Sequence, residues 1–213
     1  MKIKYLAHAS FLITSESGVK IVTDPYTAGG GIKHGAIKET ADIVTISHEH
    51  GDHNNADAIK GNPQVLREGG AVKGIKIKAV PSAHDDRGGS QRGRNAIFCL
   101  AVDGINVCHC GDLGHELTAD QVKAIGGVDV LMIPVGGFFT IDAKTATKVA
   151  EQLKPKVIIP IHYKTEKLDF PIAGEDEFTK DKRNVTRVNG SEIELKAGSL
   201  PAAAQIMVLK PSL

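Results

Sequence analysis

The stretch Thr45–Asn55 reads TISHEHGDHNN and places His48, His50, Asp52 and His53 within six positions of a chain that has 9 histidines in all. Imidazole and carboxylate are ligands that zinc accepts. A chain leaving a strand into a tight turn can fan alternate side chains around one centre, and Gly51 would ease the bend. Asp52 and His53, beyond that bend, can face a second ion. The competing reading is a polar loop that caps a helix near residues 54–59, with Asn54 or Asn55 as the cap.

The same pattern, an apolar run ending in a ligand, recurs three times: IKIKAVPSAH ends at His84, INVCHCGD at Asp112 and KVIIPIH at His162. Ligands gather where strands end and their connections splay apart, so one architecture can bring four such endings to one edge. The candidates are then His48, His50, Asp52, His53, His84, Asp112 and His162. Such a set suits two divalent metal ions, with three private ligands each, one bridging carboxylate and room for a bridging water. Zinc is the first expectation, and manganese or iron would also accept these donors. Any one distant histidine, taken alone, reads equally well as a satisfied, partly buried residue.

Positioning these endings requires strands with helices between them. Strands are expected over Lys2–Leu6, Phe11–Thr14, Lys20–Thr23, Ile43–Ile46, Ile75–Val80, Ala96–Val102, Ile105–Cys108, Val128–Ile133 and Val157–Ile161, each rich in β-branched residues. LTADQVKAIGG carries a capping box, Thr118 with Gln121, and a glycine stop at Gly126 and Gly127. DAKTATKVAEQLKP offers Asp142 as N-cap, an apolar stripe at Ala146, Val149, Ala150 and Leu153, and Pro155 beyond the end. The tail from Val185 to Leu213 returns to strand-like alternation. With no break in composition, residues 1–213 read as one α/β domain, sheets packed on each other and helices outside.

Composition narrows the function classes. Hydrophobic residues make up 41% of the 213, enough for a substantial core. Net charge is +1 and the aromatic fraction 4%, without Trp. That leaves neither a polyelectrolyte face nor base-stacking platforms, so nucleic acid is not the expected partner. The three cysteines, Cys99, Cys108 and Cys110, lack disulfide or zinc-ribbon spacing, which fits a reducing compartment. No apolar run approaches the roughly 18 residues of a membrane span. The expectation is a cytoplasmic protein acting on a small molecule; a homo-oligomer is left open.

HxHxDH after a strand, followed in order by PSAH, CGDLGH and PIHY, resembles the metallo-β-lactamase fold superfamily of metal-dependent hydrolases across essentially the whole chain. HASFLI, TDPY, GGSQRGRNAIF and LKPKVIIPIHY resemble its small stand-alone branch, similar to ascorbate-6-phosphate lactonases and to phosphodiesterases that cleave N-acyl phosphatidylethanolamines. The resemblance implies an αββα sandwich of two mixed sheets flanked by helices, with the metals at one edge. It assigns His48, His50 and His84 to one ion, Asp52, His53 and His162 to the other, and Asp112 to both. The flavodiiron proteins of this fold resemble HxExDH instead; His50 stands where they carry Glu, which disfavours redox iron chemistry.

Further residues follow from position and resemblance. His8 in LAHASFL matches the branch's amino-terminal histidine and is expected to donate a proton or touch substrate, the rival being a plain surface or core histidine. His115 in GDLGH either bonds a substrate or ligand or merely caps the next turn. Asp24 in VTDP is expected to orient a metal histidine through its other ring nitrogen, against a simple turn aspartate. Arg92 and Arg94, with Arg87, lie in a glycine-rich loop after His84 that can hold an anion with forked guanidinium donors; the alternative is solvated charge on a flexible loop. The expected activity uses a hydroxide bridging two metal ions to cleave an ester, lactone or phosphodiester bond in a small anionic substrate, with Asp52, His8 and His115 as catalytic residues. The alternatives are a metal-binding or sensing module without turnover and a nucleic-acid processing hydrolase.

Overall fold

A computed structural model describes residues 1–213. In chain order its elements are β1 (Lys2–Ala7), β2 (Ser10–Thr14), β3 (Lys20–Thr23), β4 (Ile43–Thr45), β5 (Gln64–Leu66), β6 (Gly70–Val72), β7 (Ile75–Ala83), β8 (Arg94–Val102), β9 (Ile105–His109), α1 (Ala119–Ile125), β10 (Val130–Pro134), α2 (Ala143–Leu153), β11 (Val157–Ile161), α3 (Asp176–Thr179), β12 (Val185–Arg187), β13 (Glu192–Glu194) and β14 (Gln205–Val208). One sheet runs β13-β1-β2-β3-β4-β5 and the other β12-β14-β11-β10-β9-β8-β7-β6. The tail is shared between them: β12 and β14 extend the second sheet and β13 closes the edge of the first.

Strand alternation explains the layers. Ile3, Tyr5, Phe11, Ile13, Ile21 and Ile43 point inward and join the second sheet's Phe98, Leu100, Leu131 and Ile159 in one buried core. Their neighbours Leu6, Leu12, Val22 and Val44 face the other way, into a second cluster with Tyr26, Ile32, Ile37 and Leu168. That outer face is covered by the irregular chain between β3 and β4 and by residues near Leu168, pinned by Tyr26 Oη donating to Gly35 O at 2.7 Å and by the bridge Ile32–Leu168. The helices gather on the second sheet, α1 against β7, α2 against β10 and α3 against α2. The sandwich is therefore α-layered on one side and loop-covered on the other.

Both expected caps form: Thr118 and Gln121 make a reciprocal capping box on α1, and the Asp142 carboxylate accepts from Thr145 N at the start of α2. The segment read alternatively as a capped helix near 54–59 is only a 3-10 turn, Ala56–Ala58, with no side-chain cap.

Strand direction is what positions the site. β1 and β3 are each antiparallel to β2, and β4 is parallel to β3, so β1, β3 and β4 end at the same rim. In the second sheet β7 and β9 are each antiparallel to β8, while β10 and β11 run parallel to β9. Every expected ligand follows one of these co-directional strands. β7 extends through Pro81 to Ala83, three residues beyond the expected end at Val80. Proline is tolerated because β6 pairs only with Ile75–Ile77, so no neighbour requires a donor from Pro81 on that side.

The rim is tied across the sandwich by backbone bonds between the sheets. His162 N donates to His8 O at 3.0 Å, and Ala96 N donates to Ser47 O at 2.9 Å. His109, which the sequence left without a role, donates from Nε2 to Ala9 O at 2.7 Å and accepts Gly111 N on Nδ1 at 3.2 Å. It is a buried strut between the sheets.

Candidate metal centre

The side chains of His48, His50 and His84 present ligand atoms within 4.8 Å of one another, and so do those of His8, Asp52, His53 and His162. Asp112 stands between the two groups. Its Oδ2 lies 3.1 Å from His84 Nε2, 3.3 Å from His162 Nε2 and 3.8 Å from His48 Nε2, and its Oδ1 lies 3.2 Å from His53 Nε2. Four imidazole nitrogens thus converge on the two oxygens of one buried carboxylate. His50 is the exposed member, and Asp52 is partly covered.

For His48 and His53 the ring nitrogen turned away from this point is fixed by neighbours, whereas Nδ1 of His84 and of His162 is buried without a partner. Asp24 is fully buried; its Oδ2 accepts from His53 Nδ1 at 2.9 Å and from Ser47 Oγ at 2.5 Å, and its Oδ1 accepts from Ser47 N at 2.8 Å. Since Ser47 Oγ gives its proton to Asp24, it accepts from His48 Nδ1 at 2.9 Å. Both histidines therefore carry a proton on Nδ1 and turn Nε2 toward Asp112, the orientation a metal ligand requires. Asp24 of VTDP thus meets a candidate ligand, His53, through the ring nitrogen turned away from Asp112. Ser47 and Asn95 were invisible to pattern reading. Asn95 Oδ1 accepts from Asp112 N at 3.0 Å while its Nδ2 donates to Cys110 O at 2.9 Å, so the carboxylate's backbone is held from β8.

Backbone strain and close packing accompany the ligands. His8, Asp24 and His162 all have positive φ, at 58°, 36° and 49°, uncommon for side chains larger than glycine and typical of functional sites. His8 is held there because its carbonyl accepts from both Tyr5 Oη and His162 N. In CGDLGH, Gly114 passes flat against the backbone of His84 and Asp85, where any Cβ would collide.

The electrostatics describe a donor set short of positive charge. Burial pushes the Asp112 carboxyl up, but His162 and His53 outweigh it and hold it well below the usual range. Burial lowers His53 less than Asp112 and Asp52 raise it, so its pKa is well above that of a free histidine. Burial, reinforced by His53, takes His48 down to about 3, and burial with His162 takes His8 down to about 4. The buried atoms His48 Nε2, His53 Nε2, His8 Nδ1 and Asp112 Oδ1 have no hydrogen-bond partner. Unpartnered buried imidazole nitrogens around a shared carboxylate are what divalent ions would satisfy, so the residues fit such a group.

His8 Nε2 lies 3.2 Å from Asp52 Oδ2 and its ring centre 4.2 Å from that of His162, which places it inside the second group. His115 is not brought to the centre. Its Nε2 accepts from Ala83 N at the end of β7 at 3.1 Å and its Nδ1 donates to the neighbouring Glu116 O at 2.8 Å, so both nitrogens serve the backbone. Arg94 is also displaced from the site: it is the first residue of β8 and is exposed, as is Arg87. Arg92 does reach the site. It lines a cavity of about 320 Å³ with His50, Asp52, His84, Asp112 and His162. A larger cavity of about 830 Å³ lies against Ile158, Phe178 and Ile206 and contains none of the candidate ligands.

The loop that carries Arg92 is ordered. Asp85 is buried, and its carboxylate accepts four backbone donors: Arg87 and Gly89 on Oδ1 at 2.8 Å, Gln91 and Arg92 on Oδ2 at 2.9 and 2.8 Å. Desolvation opposes its ionisation, but these four bonds prevail and hold its pKa below the usual range. Asp85 was not singled out from sequence; an aspartate opening a glycine-rich loop was the available signal.

Residues 2–162 match the Beta-lactamase superfamily domain. A candidate Zn-dependent hydrolase of the metallo-beta-lactamase superfamily from Thermotoga maritima is 41% identical, with a TM-score of 0.82 over 98% of this chain and 97% of its own. UPF0173 metal-dependent hydrolases are similar throughout. That of Carboxydothermus hydrogenoformans is 33% identical over 83% of this chain and 88% of its own, and that of Pelotomaculum thermopropionicum 30% identical over 92% and 96%.

Proposed function

Because the chain belongs to the β-lactamase superfamily of metal-dependent hydrolases, we propose that residues 1–213 act as one hydrolase unit that holds two divalent ions, zinc first among them, and cleaves an ester, lactone or phosphodiester bond in a small molecule. The observation that carries this reading is the convergence of His48, His53, His84 and His162 on both oxygens of buried Asp112. His48, His50 and His84 would hold one ion, Asp52, His53 and His162 the other, and Asp112 both. Divalent ions in such a set supply a nucleophilic water near neutral pH and polarise the scissile group.

The chain's own residues do the rest. Ser47 and Asp24 hold Nδ1 of His48 and of His53, so each ring turns Nε2 toward Asp112. His8 Nε2 steadies Asp52 Oδ2, and on this reading that carboxylate takes up the proton released in hydrolysis. His115 acts at a distance, by holding the strand end that leads into His84. A net charge of +1 favours a small molecule over nucleic acid. The buried, unpaired thiol of Cys108, whose pKa is raised by Cys110 and by burial, suits a cytoplasmic setting.

The test is elemental analysis of purified protein with turnover of a panel of phosphodiesters, lactones and carboxylic esters before and after chelation. About two ions per chain, and a hydrolytic activity lost with chelator and restored by zinc or manganese, are expected. Loading near zero with no uptake of added metal would remove the basis of the reading.

A further inference from the structure

Arg92 lies on the wall of the candidate metal cavity in an unusual electrostatic position. Its guanidinium carbon sits 4.9 Å from the ring centre of Phe139 and 5.9 Å from that of Phe138. No acidic side chain lies within salt-bridge distance of it, although the chain forms 20 other such pairs. Its Nη1 is buried and has no hydrogen-bond partner. A guanidinium resting on an aromatic face keeps its in-plane N–H donors free. A buried cationic donor without an acceptor is costly, and such groups in native proteins call for an explanation.

The backbone shows that this placement is built. Arg92 N and Gln91 N are both held by Asp85 Oδ2, and Gly89, at φ +87°, lies where a Cβ would meet Gly93 O at 2.8 Å. The loop is closed tightly enough to leave Arg92 little choice of position. Asp112, His84 and His162 line the same cavity, and Phe139 and Phe170 form its apolar lining. The cavity therefore holds both the candidate metal ligands and a cation with an unfilled donor.

Resting on the hydrolase reading above, the geometry points to a substrate with two separate polar ends: a scissile ester-type group at the metal ligands and, a short apolar spacer away, a carboxylate or phosphate that is not cleaved and is gripped by Arg92. Arg92 is then a specificity-determining residue for anionic substrates. The spacer lies against Phe139 and Phe170, and the anion accepts from Nη1 in a charge-assisted bond.

Two measurements test this. The first compares kcat/KM for three esters alike except for a distal carboxylate, phosphate or neutral amide, in wild type, Arg92→Lys, Arg92→Ala and the exposed-site control Arg94→Ala, with metal content checked in each. The ratio of anionic to neutral kcat/KM should fall at least tenfold in Arg92→Ala, chiefly through KM, and partly in Arg92→Lys, which keeps the charge but loses the fork. Arg94→Ala should keep the wild-type ratio. The larger of the two anionic preferences tells whether the natural anion is a carboxylate or a phosphate. An unchanged ratio in Arg92→Ala overturns the proposal.

The second measurement needs no turnover, so it separates failure of this inference from failure of the hydrolase reading. Metal-loaded protein is melted with succinate, glutarate or adipate and with the corresponding monocarboxylates. At least one dicarboxylate should raise the Tm beyond its monocarboxylate in wild type and lose that advantage in Arg92→Ala. If dicarboxylates have no advantage in wild type, or keep it in Arg92→Ala, the second anion site does not exist. If they behave as expected while every ester is inert, only the assigned reaction is wrong.

Discussion

Asp24 and His53 meet at 2.9 Å, Oδ2 to Nδ1, with both side chains wholly removed from solvent. The contact decides which nitrogen of His53 faces Asp112, and it joins a turn after β3 to the histidine cluster 29 residues on. Asp24→Asn keeps the shape and removes the charge. Affinity for the ion near His53 should fall about 10–100-fold, as for other changes behind a ligating histidine. Asp24→Ala leaves Ser47 and His53 without their acceptor and should cost about 3–5 kcal/mol of unfolding free energy, as for a broken buried pair. Chelator competition and urea denaturation measure the two effects; wild-type values in both would mean that the pair is ornamental.

Asp112→Asn should affect both ions together. Its Oδ2 lies near His84 of one group and His162 of the other, and its Oδ1 near His53, so removing the charge should lower metal content at both positions and reduce turnover by more than the 10–100-fold typical of supporting residues. Metal stoichiometry beside kcat checks this, and a variant with full metal and normal turnover would place the bridge elsewhere.

Metal uptake should release a proton from His53. Burial lowers its pKa, but Asp112 and Asp52 outweigh that and raise it well above the ordinary histidine value, so an entering ion competes with a proton for this ring. The sign follows: affinity at this position rises with pH until the raised pKa is passed, then levels. Affinity at the His48 position should be flatter over the same range, because His48, lowered to about 3, is already neutral. Calorimetry in two buffers of different ionisation enthalpy should show about one proton released for the His53 ion. No buffer dependence would contradict the assignment.

Gly114→Ala places a Cβ against the backbone of His84 and Asp85. The cost should be about 1–3 kcal/mol, in line with other overpacked sites. The displaced His84 should weaken metal binding in the His48, His50, His84 group while the His53 group still fills. Spectroscopic titration with cobalt would show the uneven loss; equal loss at both would indicate general unfolding.

The candidate ligands were legible because each announces itself locally. A β-branched run ending in His or Asp says both where the side chain sits and which way the strand points. Helix starts at Thr118 and Asp142 were legible for the same reason, since a cap acts within three residues. Ser47, Asn95 and Asp85 were not, because their roles lie in contacts between strands or around a loop, and nothing in their neighbours distinguishes them from ordinary polar residues. Arg92 and Arg94 look alike in GGSQRGRN; β8 begins at Arg94 and leaves that side chain exposed, while the Asp85 loop leaves Arg92 facing the cavity. The outer cover of the first sheet was missed because an irregular segment buries Tyr26, Ile32 and Ile37 without either strand or helix period.

The rim where the co-directional strands end has a consequence for how the molecule matures. The candidate ligands between positions 48 and 162 come from both sheets, so neither sheet alone contains a complete set. An ion with high affinity can bind only after the sandwich has closed, and once bound it penalises every opening that separates the sheets. Metal availability during synthesis would thus govern the lifetime of the closed state as well as its chemistry. Native-state hydrogen exchange would register this as slowing spread over strands of both sheets rather than confined to the loops that carry the histidines.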